Sequence, residues 1–212
     1  MGTWGSGIYE NDGALDGLAS LVKIPADEQD PARVVVGIGL VAWLEPVSLS
    51  VASGDLRAAV DRVADGIAGL PEATRSALAE VLADPEKASE RSSRTSAASA
   101  AIGHASCGPR IDPLLRFPGA QPVIAELAEC AARRLDASLG GDEDLYEIAS
   151  DLGALGVLIE LGEAGLWHPA PERLAAWRAG FDAADQRTTE ERGFWDRYAA
   201  RVRPGLALLA TG

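Results

Sequence analysis

RVVVGIGLVAWLEP, residues 33–46, is the stretch whose reading decides the fold class. It is apolar on every side, so periodicity alone fits a buried helix and a buried strand equally. Upstream, Asp30-Pro31 has the form of an N-cap followed by proline in the first helical position. Downstream, VSLSVAS at residues 47–53 is the one candidate strand that could pair with it. No second convincing strand exists elsewhere. The stretch therefore reads as a buried helix, and the expected class is all-α.

Helical signals continue on both sides. Asn11 and Asp12 are N-cap types ahead of Gly13 to Val22, where Ala14, Leu15, Leu18, Leu21 and Val22 recur at helical spacing until Pro25. Asp55 caps a segment carrying Leu56, Val60, Val63, Ile67 and Leu70. Pro71 opens another with Leu78, Val81 and Leu82 on one face, ended by Asp84-Pro85. Gln121 to Leu139 presents Val123, Ile124, Leu127, Cys130, Ala131 and Leu135. After Gly140-Gly141, Asp142 caps a helix from Glu143 to about Glu163. Pro171 to Asp185 aligns Leu174, Trp177 and Phe181. Thr188 or Thr189 caps a last helix, Thr188 having capping-box spacing with Glu191, and Pro204 stops it. These segments predict a multi-helix bundle or stacked helical hairpins of roughly seven to eight helices.

The stretch KASERSSRTSAASAAIGHASCGPR is poor in large apolar side chains and cannot bury much surface. It divides the chain into an N-terminal helical half at 1–86, a Ser/Ala-rich linker or weak helix at 87–112, and a C-terminal helical half at 113–212, unless the whole is one continuous domain.

Hydrophobic residues make up 47% of the chain and charged residues 24%, enough for a packed core and unlike a disordered segment. The net charge is −13. Nucleic acid and anionic membranes need a basic footprint, so neither is an expected partner, whereas a basic protein would be attracted over long range. Two cysteines, Cys107 and Cys130, do not make a disulfide framework and fit a reducing compartment. MGTWGSGIYEND lacks the pattern of a signal peptide, and the apolar run Val34 to Leu44 is about half the length of a membrane span. A soluble, cytoplasmic protein is expected.

Several motifs imitate chemistry. Gly37-Ile38-Gly39-Leu40-Val41-Ala42 fits the dinucleotide fingerprint GxGxxA, but bulky Ile38 and Leu40 fill its loop and no βαβ units follow. His104 and Cys107, with Cys130 as a third group, fall short of a zinc set, and Cys130 reads as a buried inert thiol on an apolar face. Asp142, Asp144 and Glu147 alternate like calcium ligands without the rest of an EF-hand loop; a helix cap explains them better. No cofactor, metal site or catalytic set is assigned. Trp167, Trp177, Phe181, Phe194, Trp195 and Tyr198 carry most of the large aromatics, ordinarily core at helical spacing. If exposed, Trp177, Trp195 and Tyr198 would mark an interface.

The most distinctive residues open the chain. Trp4, Gly5, Gly7, Tyr9, Glu10, Asn11 and Asp12 form a WGxG turn, an aromatic anchor and an acceptor-rich cap, which reads as an N-terminal clasp or a binding loop. Over about the first twenty residues this stretch resembles the bacterial family known as domain of unknown function 4259. The resemblance implies a helical fold and no particular activity.

The expected function is that of a non-enzymatic protein-binding protein of the bacterial cytosol, immunity-like or accessory, with a basic protein as partner. The alternatives are an enzyme or small-molecule-binding protein with a pocket between the two halves, and a structural homo-oligomer.

Overall fold

The computed structural model describes residues 24–25, 27–44, 53–84 and 107–210. Outside them lie the clasp at Trp4, Gly5, Gly7, Tyr9, Glu10, Asn11 and Asp12, the expected helix at 13–22, the strand candidate up to residue 52 and the Ser/Ala-rich stretch through residue 106. Among the described residues the chain is helical with no strand. The helices are α1 (Pro31–Leu44), α2 (Ser53–Arg62), α3 (Ala64–Ala68), α4 (Glu72–Ala83), α5 (Asp112–Leu115), α6 (Ala120–Leu139), α7 (Leu152–Glu163), α8 (Pro171–Arg187) and α9 (Arg192–Leu208). No described helix is long and apolar enough to cross a membrane. The chain separates into two compact units, the division falling between Glu126 and Leu127.

In the unit before residue 127, α1 is the centre. Every residue from Val34 to Leu44 is buried, which is why its sequence has no polar face. The N-cap reading holds: Asp30 Oδ1 accepts the Ala32 N–H at 2.9 Å. Helices α2, α3, α4 and α5 pack around it. Gly39 belongs to this packing, since a Cβ there would stand 2.9 Å from Leu114 Cβ. The GxGxxA segment is thus helical throughout, with its second glycine at a helix–helix contact. The segment expected to be capped by Asp55 starts instead at Ser53, with Asp55 inside its first turn, and breaks at Val63 into α2 and α3; of its predicted stripe, Leu56, Val63 and Ile67 are buried and Val60 and Leu70 half-buried. The division lies beyond the Ser/Ala-rich stretch because Leu114, Leu115 and Phe117 are buried in this unit's core.

In the unit after residue 126, α7 has the same character: Leu152 to Ile159, Leu161 and Gly162 are buried. It ends in a Schellman arrangement, with Gly165 at φ 64 and the Leu166 N–H donating to Leu161 O at 2.8 Å. Helix α9 packs on α7 and α8. Pro204 does not stop α9, which continues to Leu208. The last turn persists because Gly205, Leu206 and Leu209 are buried, Gly205 against Ile159, and because Arg178 donates to Leu206 O at 2.7 Å. Helix α8 is tied to α6 by Arg173, which forks onto Glu129 at 2.7 and 2.8 Å, and by Trp177 Nε1, which donates to Asp136 at 2.8 Å.

Candidate functional site

Between α6 and α7 the chain does not form the helix expected from Glu143. Residues 145–151 are a run of turns, and α7 begins only at Leu152. Its capping residue is Asp144 rather than Asp142. Asp144 Oδ1 accepts the N–H groups of Tyr146 and Glu147 at 2.9 and 3.0 Å, and Glu147 Oε2 accepts the Asp144 N–H at 2.9 Å. This is a capping box that closes one turn.

The segment is held from both sides. At its start, Arg187 at the end of α8 donates to Glu143 O at 2.6 and 3.0 Å and to Gly141 O at 3.3 Å. Thr188 does not cap α9. Its hydroxyl donates to Ala184 O at 2.8 Å and accepts the Leu145 N–H at 3.0 Å. Both residues are buried, so this hydroxyl closes α8 and pins the segment at once. At the far end, Asp151 accepts the Arg134 guanidinium at 2.6 Å and the Ser138 hydroxyl. Leu145, Ile148 and Ala149 point into the core.

What faces outward is acidic. Asp142, Glu143 and Glu147 are exposed, and so are Glu190 and Glu191 in the turn that follows Thr188. Tyr146, in the same stretch of sequence as Asp142, Glu143 and Glu147, is at 37% the exposed large hydrophobic residue among those described. Arg187, also exposed, gives its guanidinium to the carbonyl oxygens of Glu143 and Gly141. Lys23 and Lys87 are the only lysines, so the basic side chains are otherwise arginines. Arg33, Arg75, Arg110, Arg116, Arg134, Arg173, Arg192 and Arg203 each pair with a carboxylate of their own unit. Side-chain hydrogen bonds to and from the backbone thus hold an acidic, tyrosine-bearing segment at the surface.

The other sequence candidates are placed as follows. Trp177, Trp195 and Tyr198 are 1%, 3% and 0% exposed, so their rings serve the core of their own unit and offer no interface. Trp195 and Tyr198 meet edge to face at 5.4 Å, and Trp177 stacks with the half-buried Trp167 at 6.3 Å. Cys130 is exposed, contrary to its reading as a buried thiol. The buried stripe of α6 runs through Ile124, Ala128, Ala131, Ala132 and Leu135, and Cys130 lies off it. Cys107 is buried. Among the described residues no group of three or more His, Cys, Asp or Glu could hold a metal ion, and the carboxylates of Asp144 and Glu147 already accept backbone N–H groups. In the unit before residue 127, a shallow, mostly apolar groove of about 330 Å³ lies between Pro71, Ala73 and Thr74 on one side and Pro113, Phe117 and Pro118 on the other.

Tyr146 was within reach of the sequence. It is an aromatic residue inside the acidic run Asp142-Glu143-Asp144-Leu145-Tyr146-Glu147, where a core aromatic would have apolar neighbours. The contacts of Arg187 with Glu143 and of Thr188 with Leu145 carry no such local signal, because they span more than forty residues.

Comparison of the chain with protein-family models, with curated proteins and with solved structures gives no match.

Proposed function

We propose that this protein is a non-enzymatic binding protein whose partner is a basic protein, in the manner of an immunity or accessory protein of the bacterial cytosol. The observation that carries this reading is an exposed acidic segment, in which Asp142, Glu143 and Glu147 share residues 142–147 with the exposed Tyr146 and the backbone is held by Arg187, Thr188 and Asp151. Carboxylates supply steering and register for a cationic surface, and a tyrosine supplies contact area at low entropic cost. The N-terminal resemblance to domain of unknown function 4259 belongs to the same proposal and adds no activity to it. The homo-oligomer reading loses its carrier, because its aromatic residues are buried within one unit.

The test is capture of partners from the native cell extract by the tagged full chain, at graded salt. A basic protein retained at low salt and released as salt rises supports the proposal. Retention of nothing but the chain itself overturns it.

A further inference from the structure

On α9, Trp195 and Tyr198 lie three residues apart and therefore share a helix face. Both are inside the unit, at 3% and 0% exposure, with ring centroids 5.4 Å apart at 79°. The indole N–H of Trp195 and the hydroxyl of Tyr198 are fully buried, and neither has a hydrogen-bond partner among the described residues. The contrast within the same unit is direct, for the buried indole of Trp177 donates to Asp136 at 2.8 Å. Buried polar side chains in folded proteins are nearly always satisfied, and an orphaned group forfeits its hydration with no return. Two such groups lie on one helix face, on rings in edge-to-face contact.

We infer that the aromatic core of this unit holds an ordered internal water, bound to the Trp195 indole N–H and the Tyr198 hydroxyl. The chemistry selects it. An indole N–H only donates, so the bound atom is an acceptor. Burial pushes the Tyr198 phenol far above its usual range, so the hydroxyl stays neutral and can both donate and accept. Water matches both groups and is small enough for a packed core, where a buried molecule commonly makes two to four hydrogen bonds. The site would account for two polar aromatics where phenylalanine would otherwise pack.

Two measurements on the full chain test this. In Tyr198→Phe, urea unfolding should show the ratio of folded to unfolded protein falling about tenfold, because the hydroxyl loses a made hydrogen bond. An unchanged or higher ratio overturns the inference, since deleting an unbonded hydroxyl costs nothing. A high-resolution crystal structure of the unsubstituted chain should show a water oxygen within hydrogen-bond distance of Trp195 Nε1 and Tyr198 Oη. A protein oxygen or an organic molecule at those atoms, or no density there, overturns it equally and does so even if Tyr198→Phe fails to fold.

Discussion

The hydroxyl of Thr188 accepts the backbone N–H of Leu145 at 3.0 Å, across forty-three residues of chain and in the interior of the unit. It joins the end of α8 to the segment that presents Tyr146. Removing it leaves a buried N–H without a partner. Thr188→Ala should destabilise the protein by about 1–3 kcal/mol, whereas Thr188→Ser, which keeps the oxygen, should cost under about 1 kcal/mol. Urea unfolding of the pair checks this, and equal losses in both variants would mean that the methyl group matters rather than the hydrogen bond.

Gly180 and Gly193 give opposite expectations for one substitution. A Cβ at Gly180 would press into the backbone oxygen of Leu139 and stand 2.9 Å from its Cβ, whereas at Gly193 nothing lies within 4 Å. Alanine gains about 1 kcal/mol of helix propensity over glycine, and overpacking costs about 1–3 kcal/mol. Gly180→Ala should lower the melting temperature and Gly193→Ala should raise it slightly in thermal unfolding.

Glu191, the capping residue just before α9, has φ 48, a left-handed backbone that disfavours a residue with a Cβ. Glu191→Gly removes that cost and should stabilise the fold by about 1 kcal/mol. Chemical denaturation reads the change directly. A loss of similar size would show that the side chain of Glu191 contributes more than its backbone costs.

Much of this architecture is written locally. The all-round apolar character of residues 33–44 and the Asp30-Pro31 start are visible without coordinates, and so are the stripes of α4, α6 and α8. The departures have a common physical origin in tertiary contact. Pro204 fails to stop α9 because Gly205 and Leu206 are buried. Thr188 turns from the next helix to a distant N–H. Helix α7 starts late because Arg187 and Arg134 hold residues 141–151 in turns. Cys130 shares the approximate spacing of the α6 stripe but not its burial, since the packed face is narrower than the apolar pattern.

The Glu129–Arg173 pair ties α6 to α8 and carries a pH dependence. The hydrogen bond from Arg173 holds the Glu129 carboxyl below its ordinary 4.5, against a smaller opposing effect of burial. A carboxyl lowered in the folded state contributes stability that is full above its unfolded value and is lost as pH falls through its folded value. The difference in unfolding free energy between the unsubstituted chain and Glu129→Gln should therefore be present at pH 7 and shrink as the pH drops below about 4.5. A difference that does not change with pH would assign the pair's contribution to packing.

The acidic segment bearing Tyr146 is tested most directly by comparing partner capture between the unsubstituted chain and the variant Asp142→Asn/Glu143→Gln/Tyr146→Ala. These side chains are exposed, and the described hydrogen bonds of Asp144, Glu147, Arg187 and Thr188 that hold the segment do not depend on them. With both proteins folded alike by circular dichroism, the unsubstituted chain should retain a basic protein at low salt and the variant should lose it. Equal retention by both would contradict the assignment of binding to this segment.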